Sequence, residues 1–588
     1  MFPKYQWFRP VLGTLAVLTV LAAARPFPAC AGKASSPCPQ IRFVGNEKID
    51  LNNMETRLVC GDPGTEGWER IPFNQAENFL RAFLQQRGYQ EPRFDTGRDV
   101  LSVDPGRKTS VRAFNVSGLP PGIDPRRLRK IRGQVMTPSL LDAAKSALVN
   151  ALQNRGYACP VIEMQGNATT GEVSAEVRPG ELYRFDTIQP QKAGEAYPEV
   201  FRRYEAFVRG QRFDSRLLDL TARRTMADSL FLSTYFDVSC SSSGLSITER
   251  VVEGKSQLYK LGVGFDTEGL FIGKAQWRDS RVGAPAHSME ASVYSSFREQ
   301  SASADFRYYP GPASRSYLMP KLTFVRRNEA QYESLRSEFA LLPGRSWDTR
   351  SLRAEFSAGP ALEYVNTIRG LGPARDRYAV LQTQLELRDH LFEYYAGEPQ
   401  TGWRLTFKSQ SRVAGLASSI TAHRIGLQGE HIWNLGKNYP PSLVLATRYI
   451  GQTTLVRNSL VAAGKVPLDM RFFMGGDSNL RGAGLNDVPA DSGGLLTTVY
   501  DGLELRMGDV LPHGLQPLVF VDAAMGGRTS SHLDPNVYWS PGFGLRWSSP
   551  IGSVRTTLAR GLVWRRNPSA EVLLRPQWRF FLSLGKEF

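Results

Sequence analysis

Residues 471–484 read RFFMGGDSNLRGAG: a glycine pair, Gly475-Gly476, then Asp477-Ser478, then a lone cation, Arg481, followed by Gly482. A Gly-Gly-Asp-Ser run invites a phosphate-loop or hydrolase reading. Each has a requirement this stretch does not meet. A phosphate loop joins a strand to a helix so that its amides converge on the anion, and a hydrolytic serine needs a base positioned beside it. No strand–helix pattern surrounds the run. The chain holds only six His, none placed to complete a triad. No catalytic residue and no enzyme activity is therefore expected. The cysteines point elsewhere too. Beyond Cys30, the remaining four (Cys38, Cys60, Cys159 and Cys240) all lie in the first 240 residues, at spacings unlike a zinc site. No metal or cofactor is implied. Four cysteines allow three pairings. Cys38–Cys60, flanking one strand-plus-helix unit, is the leading candidate in an oxidising compartment, with four buried free thiols as the alternative.

The segments that would carry these residues fall into two textures. From Cys38 to about Gly254 the chain repeats a unit of roughly 70 residues. Each unit opens on a short strand (41–45, 111–118 and 182–188) and continues into helix. The helix over 74–86 places Ala76, Phe79, Leu80, Phe83 and Leu84 on one stripe, with Asn74 and Glu77 spaced as a capping box. A second covers 139–153 and a third 214–230, the latter through Leu217, Leu218, Ala222 and Met226. The first two end in Arg87-Gly88-Tyr89 and Arg155-Gly156-Tyr157, where Gly supplies a left-handed turn. The third unit has Thr234-Tyr235-Phe236 instead. Two strands close each unit, as at 161–165 and 171–178 around the turn 167–170, giving the order β-α-α-β-β.

After Gln257 alternation replaces helical periodicity. Residues 258–266 (LYKLGVGFD), 288–296, 301–308 and 380–387 read as strands with two unlike faces, separated by turn clusters such as Tyr309-Pro310-Gly311-Pro312. The stretch 258–588 suits an all-β transmembrane barrel of 14 to 18 antiparallel strands, with 16 the central expectation. In the last strand Phe580, Leu582, Leu584 and the terminal Phe588 share a face.

Composition agrees. The chain has 588 residues, a formal charge of +16 and 41% hydrophobic residues, which excludes a disordered protein. Mean hydropathy is -0.30, and past the first 25 residues no apolar run is long enough for a spanning helix. That excludes a polytopic helical membrane protein and leaves a barrel open. Lys4 and Arg9 precede an apolar stretch at 11–24, and Ala29-Cys30-Ala31 resembles a cleavage site, so residues 1–31 read as a signal peptide. Acylation of Cys30 as a lipoprotein is the alternative, disfavoured by Phe27. The basic runs Arg126-Arg127, Arg129-Lys130 and Arg223-Arg224 carry no interleaved aromatics, so no nucleic acid is expected. A solvated face or contact with anionic lipid is the reading preferred.

The repeats resemble POTRA domains, here at 38–108, 109–180 and 181–256. The segment 471–484 resembles the hallmark of the Omp85 superfamily: an aromatic segment, Gly-Gly, then hydrophobic-Arg-Gly-aromatic. Ala483 stands where the family usually has Phe or Tyr. Phe520-Val521-Asp522-Ala523-Ala524 resembles the F-x-D-x-G wall element, with Ala524 for Gly. Residues 542–552 (GFGLRWSSPIG) extend the likeness, and the terminal Phe resembles the insertion signal of outer-membrane barrels. The resemblance implies that the hallmark lies on a loop folded into the lumen, that Asp522 is the partner of Arg481, and that Glu504 is a second lumen-facing acid. A buried guanidinium must be paired, and its planar fork matches carboxylates.

Three repeats before the barrel, 259–265 (YKLGVGF) and 287–291 (HSMEA) resemble the branch that supplies the outer-membrane subunit of the translocation and assembly module. The implied function is a factor in the outer membrane of a Gram-negative cell, its POTRA units in the periplasm, that helps insert or export β-barrel and autotransporter-type proteins. The mechanism implied is strand templating at a weak seam between the first and last barrel strands, marked by Gly262, Gly264, Phe580 and Phe588. The implied partners are a TamB-like inner-membrane-anchored protein contacted through the first POTRA, unfolded client proteins and the lipid bilayer. A two-partner secretion transporter for one passenger is the alternative, without an evident plug helix to support it; a passive porin is a third class.

Overall fold

In the computed structural model the described residues run from 38 to 588, apart from 45–48, 62–70, 124–130, 187, 191–197, 243, 394–400, 437–441, 492, 509, 550–551, 567–570 and 586–588. The signal peptide with Cys30, Phe588, and the runs Arg126-Arg127 and Arg129-Lys130 lie outside them. The residues form two compact units, one of residues 1–153 with 159–181, the other of 154–158 with 182–588.

The first unit holds two α+β modules. In the first, β1 (Ile41–Phe43), α1 (Asn53–Cys60), α2 (Phe73–Gln86), β2 (Arg93–Thr96) and β3 (Leu101–Asp104) follow the β-α-α-β-β order. The sheet order is β1-β3-β2, with β1 parallel to the central β3. Ala76, Leu80 and Leu84 of α2 pack on Leu101 and Val103. A Cys38–Cys60 disulfide ties the start of the module to the end of α1. The capping box is real but displaced. Asn52 and Glu55 form it at α1, whereas Asn74 only caps the amide of Gln75 and Glu77 pairs with Arg81. Helix α2 starts one residue earlier than the spacing implied, at Phe73 after Pro72, so Asn74 is already inside the first turn. Gly88 closes the helix at φ +94°, and Tyr89 is buried against it. The second module has β4 (Ala113–Ser117), α3 (Pro138–Gln153), β5 (Val161–Gly166) and β6 (Glu172–Arg178), in sheet order β4-β6-β5. Among the described residues it has a single helix.

The second unit begins with the third module: β7 (Gln189–Pro190), α4 (Pro198–Tyr204), α5 (Ser215–Ala227), β8 (Ser233–Ser241) and β9 (Gly244–Val252). Its opening strand differs from the expected 182–188. Leu182 and Arg184 make only single bridges, to Tyr157 and Arg212, and the ladder to β9 starts at Gln189. The turn after α5 is made by Ser229 at φ +55° and buried Leu230; Thr234-Tyr235-Phe236 lies in β8. Helix α5 is also rotated from expectation, burying Leu218, Leu220, Thr221 and Thr225 and leaving Met226 exposed.

Glu249 of β9 is 1% exposed, and its Oε1 has no hydrogen-bond partner. Burial, aided by the charge of Glu205, pushes its carboxyl up to about 8. The folded module therefore keeps a proton that the unfolded chain releases near the ordinary value of 4.5. Stability falls as pH climbs between those two values and is level above them. Glu249→Gln is expected to stabilise the module by roughly 2–4 kcal/mol at pH 9 and to leave it unchanged near pH 4. Hydrogen exchange in β8 and β9 at the two pH values measures this; equal protection in both proteins at pH 9 would contradict it.

Sixteen antiparallel strands then close a barrel. They are β10 (Gln257–Asp266), β11 (Leu270–Val282), β12 (His287–Ser295), β13 (Glu299–Arg307), β14 (Ser316–Asn328), β15 (Glu333–Asp348), β16 (Leu352–Arg369) and β17 (Arg375–Asp389). The second half comprises β18 (Gly402–Arg412), β19 (Ala422–Asn434), β20 (Ser442–Val456), β21 (Thr497–Gly508), β22 (Leu515–Gly527), β23 (Val537–Ser549), β24 (Gly552–Trp564) and β25 (Gln577–Leu584). Alternation works as expected. Phe324, Phe339, Leu362, Leu381, Phe543 and Phe580 stand exposed on the outer wall, suited to hydrocarbon, while charged residues such as Glu363, Arg412 and Asp522 are buried inside.

The third module is built onto one end of the barrel. The Arg203 guanidinium donates to the carbonyls of Pro285 (2.6 Å), Ala286 (3.0 Å) and Pro312 (2.8 Å) in two barrel turns. Asp228 pairs with Arg353 at 2.5 Å. Arg224 donates to the carbonyls of Glu205 and Asp348. That corrects the expected solvated or lipid-facing role for the Arg223-Arg224 pair: Arg224 is spent on the junction, where unpaired turn carbonyls need donors.

Candidate functional site: the lumen loop and the barrel seam

Between β20 and β21 the chain turns back into the lumen, where residues 469–482 meet the inner wall. Backbone bridges Phe472↔Leu495 and Met474↔Val488 make the loop a narrow hairpin. At its tip Arg481 is 4% exposed. Its Nε and Nη2 donate to the two oxygens of Asp522 at 2.9 and 2.8 Å, and its own amide donates to Asp522 at 3.1 Å. Nη1 donates to Glu504 at 2.5 Å. The guanidinium plane lies 3.3 Å from the Phe520 ring centroid. Asp522 is 0% exposed and also accepts the Tyr500 hydroxyl at 3.1 Å. Glu504 is shared with Arg506 and Arg555. Every donor of the fork that faces the wall thus meets a carboxylate, the condition for holding such charges out of water.

The wall strands explain the rest of the motif. Gly482 donates its amide to Ser540 Oγ at 2.9 Å, and a Cβ there would lie 2.4 Å from Gly561 Cα. Only glycine lets loop and wall approach this closely. Gly475 and Gly476 have φ of +114° and +104°. Ala483, in the usual aromatic position, is fully buried with Phe472, Met474, Leu480, Tyr538 and Leu574. Those side chains fill the space an aromatic ring would take.

A second anchor was not read from the sequence. Asp469, in the short turn Leu468–Met470, accepts Arg412 Nη2 at 2.6 Å. Arg412, also 0% exposed, pairs with Glu363, which lies 3.5 Å from Arg336. Arg424 donates to the Asp469 carbonyl. The loop is therefore held on two faces of the lumen, by β21–β22 and by β16, β18 and β19. The available signal was a charged residue on the inward face of each strand, Glu363 in β16 and Arg412 in β18, but nothing local couples them to Asp469.

Among the described residues the barrel closes over few pairs. Strands β10 and β11 pair over ten residues, from Gln257↔Asp279 to Asp266↔Leu270. Among the described residues β10 and β25 pair over two, Phe265↔Leu584 and Asp266↔Ser583. One further bond, from the Thr267 amide to the Leu582 carbonyl (3.0 Å), extends the contact. Gly264 belongs to the seam: a Cβ there would lie 2.6 Å from the Leu584 carbonyl oxygen. Gly262 lies opposite Lys274 on β11, and no seam partner for it is among the described residues. Phe580 pairs with Leu558 of β24 and faces outward beyond the seam ladder.

Residues 394–588, which carry the loop and the wall, match the Omp85 superfamily domain. The Omp85 domain thus spans both partners of the Arg481 lock. The fold over 81% of this chain is similar to that of BamA from Haemophilus ducreyi lacking POTRA domains 1–3, with TM-score 0.55, 15% identity and 99% of that chain covered. It is also similar to CdiB from Acinetobacter baumannii, with TM-score 0.51, 12% identity and coverage of 81% and 89%.

Proposed function

We propose that this protein is an outer-membrane assembly and translocation factor of the TamA type, with its three POTRA-like modules in the periplasm and strand exchange at the β10–β25 seam as its working step. The observation that carries the reading is the seam, which among the described residues holds two pairs in a barrel whose other ladders run to seven or more. An incoming strand that pairs along β10 would gain a ladder longer than the two pairs β10 and β25 make among the described residues. Three modules before a sixteen-strand barrel favour the TamA branch, with a TamB-like inner-membrane-anchored partner docking on the first module and unfolded barrel or autotransporter proteins as clients.

A dedicated secretion transporter is the second reading, favoured by the likeness in fold to CdiB. Cross-linking in intact cells, followed by pull-down through residues 38–108, separates the two. Capture of a very large inner-membrane-anchored periplasmic protein is the expected result. A single secreted passenger without such a partner would move the protein to the secretion class.

A further inference from the structure

The tip of the lumen loop touches both sides of the seam. On the first-strand side, the turn between β10 and β11 presents Glu268, whose Oε1 accepts the amide of Asp477 at 3.0 Å. On the last-strand side, Arg579 of β25 points inward and its Nη2 lies 3.0 Å from Asp487 Oδ2. Asp477 and Asp487 flank the locked Arg481 within one hairpin tip, closed by the Met474↔Val488 bridge. The glycines of the tip are fitted to these contacts. A Cβ on Gly476 would stand 2.5 Å from Glu268 Oε1, and one on Gly484 would stand 2.2 Å from Asp487 Oδ2 and 3.4 Å from the Arg579 guanidinium carbon.

We propose that Glu268 and Arg579 are positioning residues through which the docked loop straps the seam shut. Arg481 fixes the tip to β21–β22; Glu268 and Arg579 pass that fixation to the two strands that, among the described residues, share two residue pairs. The inference deepens the assembly reading, since it names what restrains the strand exchange. Opening the seam requires Asp477 to leave Glu268 or Asp487 to leave Arg579, so loop and seam move together. Neither contact involves the Arg481 carboxylates, so either can be removed with the lock intact.

The test is hydrogen exchange on the full chain in lipid nanodiscs, with no client present. In Glu268→Ala and in Arg579→Ala the Thr267 amide and those of residues 265–266 and 582–584 are expected to exchange at least tenfold faster, with β14–β20 unchanged. Glu268→Gln, which keeps an acceptor for the Asp477 amide, is expected to restore protection. Unchanged seam exchange in both alanine variants overturns the proposal, as does an equal acceleration throughout the barrel. If Arg579→Ala fails to fold, the Glu268 pair of variants decides alone. Because the readout needs no client, loss of the strap and loss of the assembly reading are distinguishable: fast seam exchange with no effect of the seam on client insertion would reject only the latter.

Discussion

Joining Phe265 and Leu584 through a disulfide, in the double variant Phe265→Cys/Leu584→Cys, is expected to reduce client assembly at least tenfold and to leave a heat-modifiable barrel. The two positions are directly opposite in the seam ladder. Directly opposed residues bring their Cβ atoms within the span a disulfide bridges. The size of the effect follows from the ladder lengths. At about 1 kcal/mol net per hydrogen bond, a seam of two pairs and one extra bond resists opening by a few kcal/mol, against roughly 10 kcal/mol for a ladder like β10–β11. A covalent link removes that difference and makes the seam the hardest place to open. The change removes the Phe265–Phe271 ring contact in the native state. Reduction should restore activity in the same sample. Wild-type assembly by the oxidised protein would show that strand exchange at this seam is not the working step.

Arg481→Ala is expected to undock the lumen loop, at a cost of roughly 3–5 kcal/mol to its bound arrangement. The magnitude comes from what is left behind. Asp522 loses both side-chain donors and, once the loop leaves, the residue-481 amide, and keeps the Tyr500 hydroxyl; Glu504 keeps Arg506 and Arg555. Asp522 is therefore the stranded charge. Arg481→Lys is not expected to rescue the lock, because an ammonium cannot span both carboxylates as a planar fork does. A cysteine placed at Ser478 reports docking through its labelling rate, which should rise severalfold in both variants, with client assembly impaired. The barrel itself should persist, since its ladders do not pass through the loop. Normal labelling and normal assembly in Arg481→Ala would remove the loop from the mechanism.

How far the sequence carried the site depended on whether a feature is local. The hallmark at 471–484 and the wall segment around Asp522 are contiguous runs, and the structure brings Arg481, Asp522 and Glu504 together as expected. The Arg412–Asp469–Glu363 cluster is equally buried but assembled from single residues on two strands and a turn. A lone charge in an alternating strand has no periodic signature beyond the face it occupies. The same holds for the junction. In the sequence Arg224 reads as a solvated or lipid-facing cation and nothing singles out Arg203 at all; only the arrival of barrel turns with open carbonyls makes them structural.

By itself, the sequence determined the class of each half. Helical periodicity ending in glycine, then strict alternation, leaves an α+β repeat and a barrel as the arrangements that bury the apolar faces. Cys38–Cys60 was open among three pairings until folding placed the two Cα atoms 6.1 Å apart. The tertiary structure decided the strand count, the register and the seam. A ladder's length depends on where neighbouring strands start and stop relative to one another, and no residue in either strand records that alone. Gly264 and Gly262 are alike in the sequence, two positions apart in one strand. Only the close approach of the Leu584 carbonyl shows that Gly264 lies at the seam.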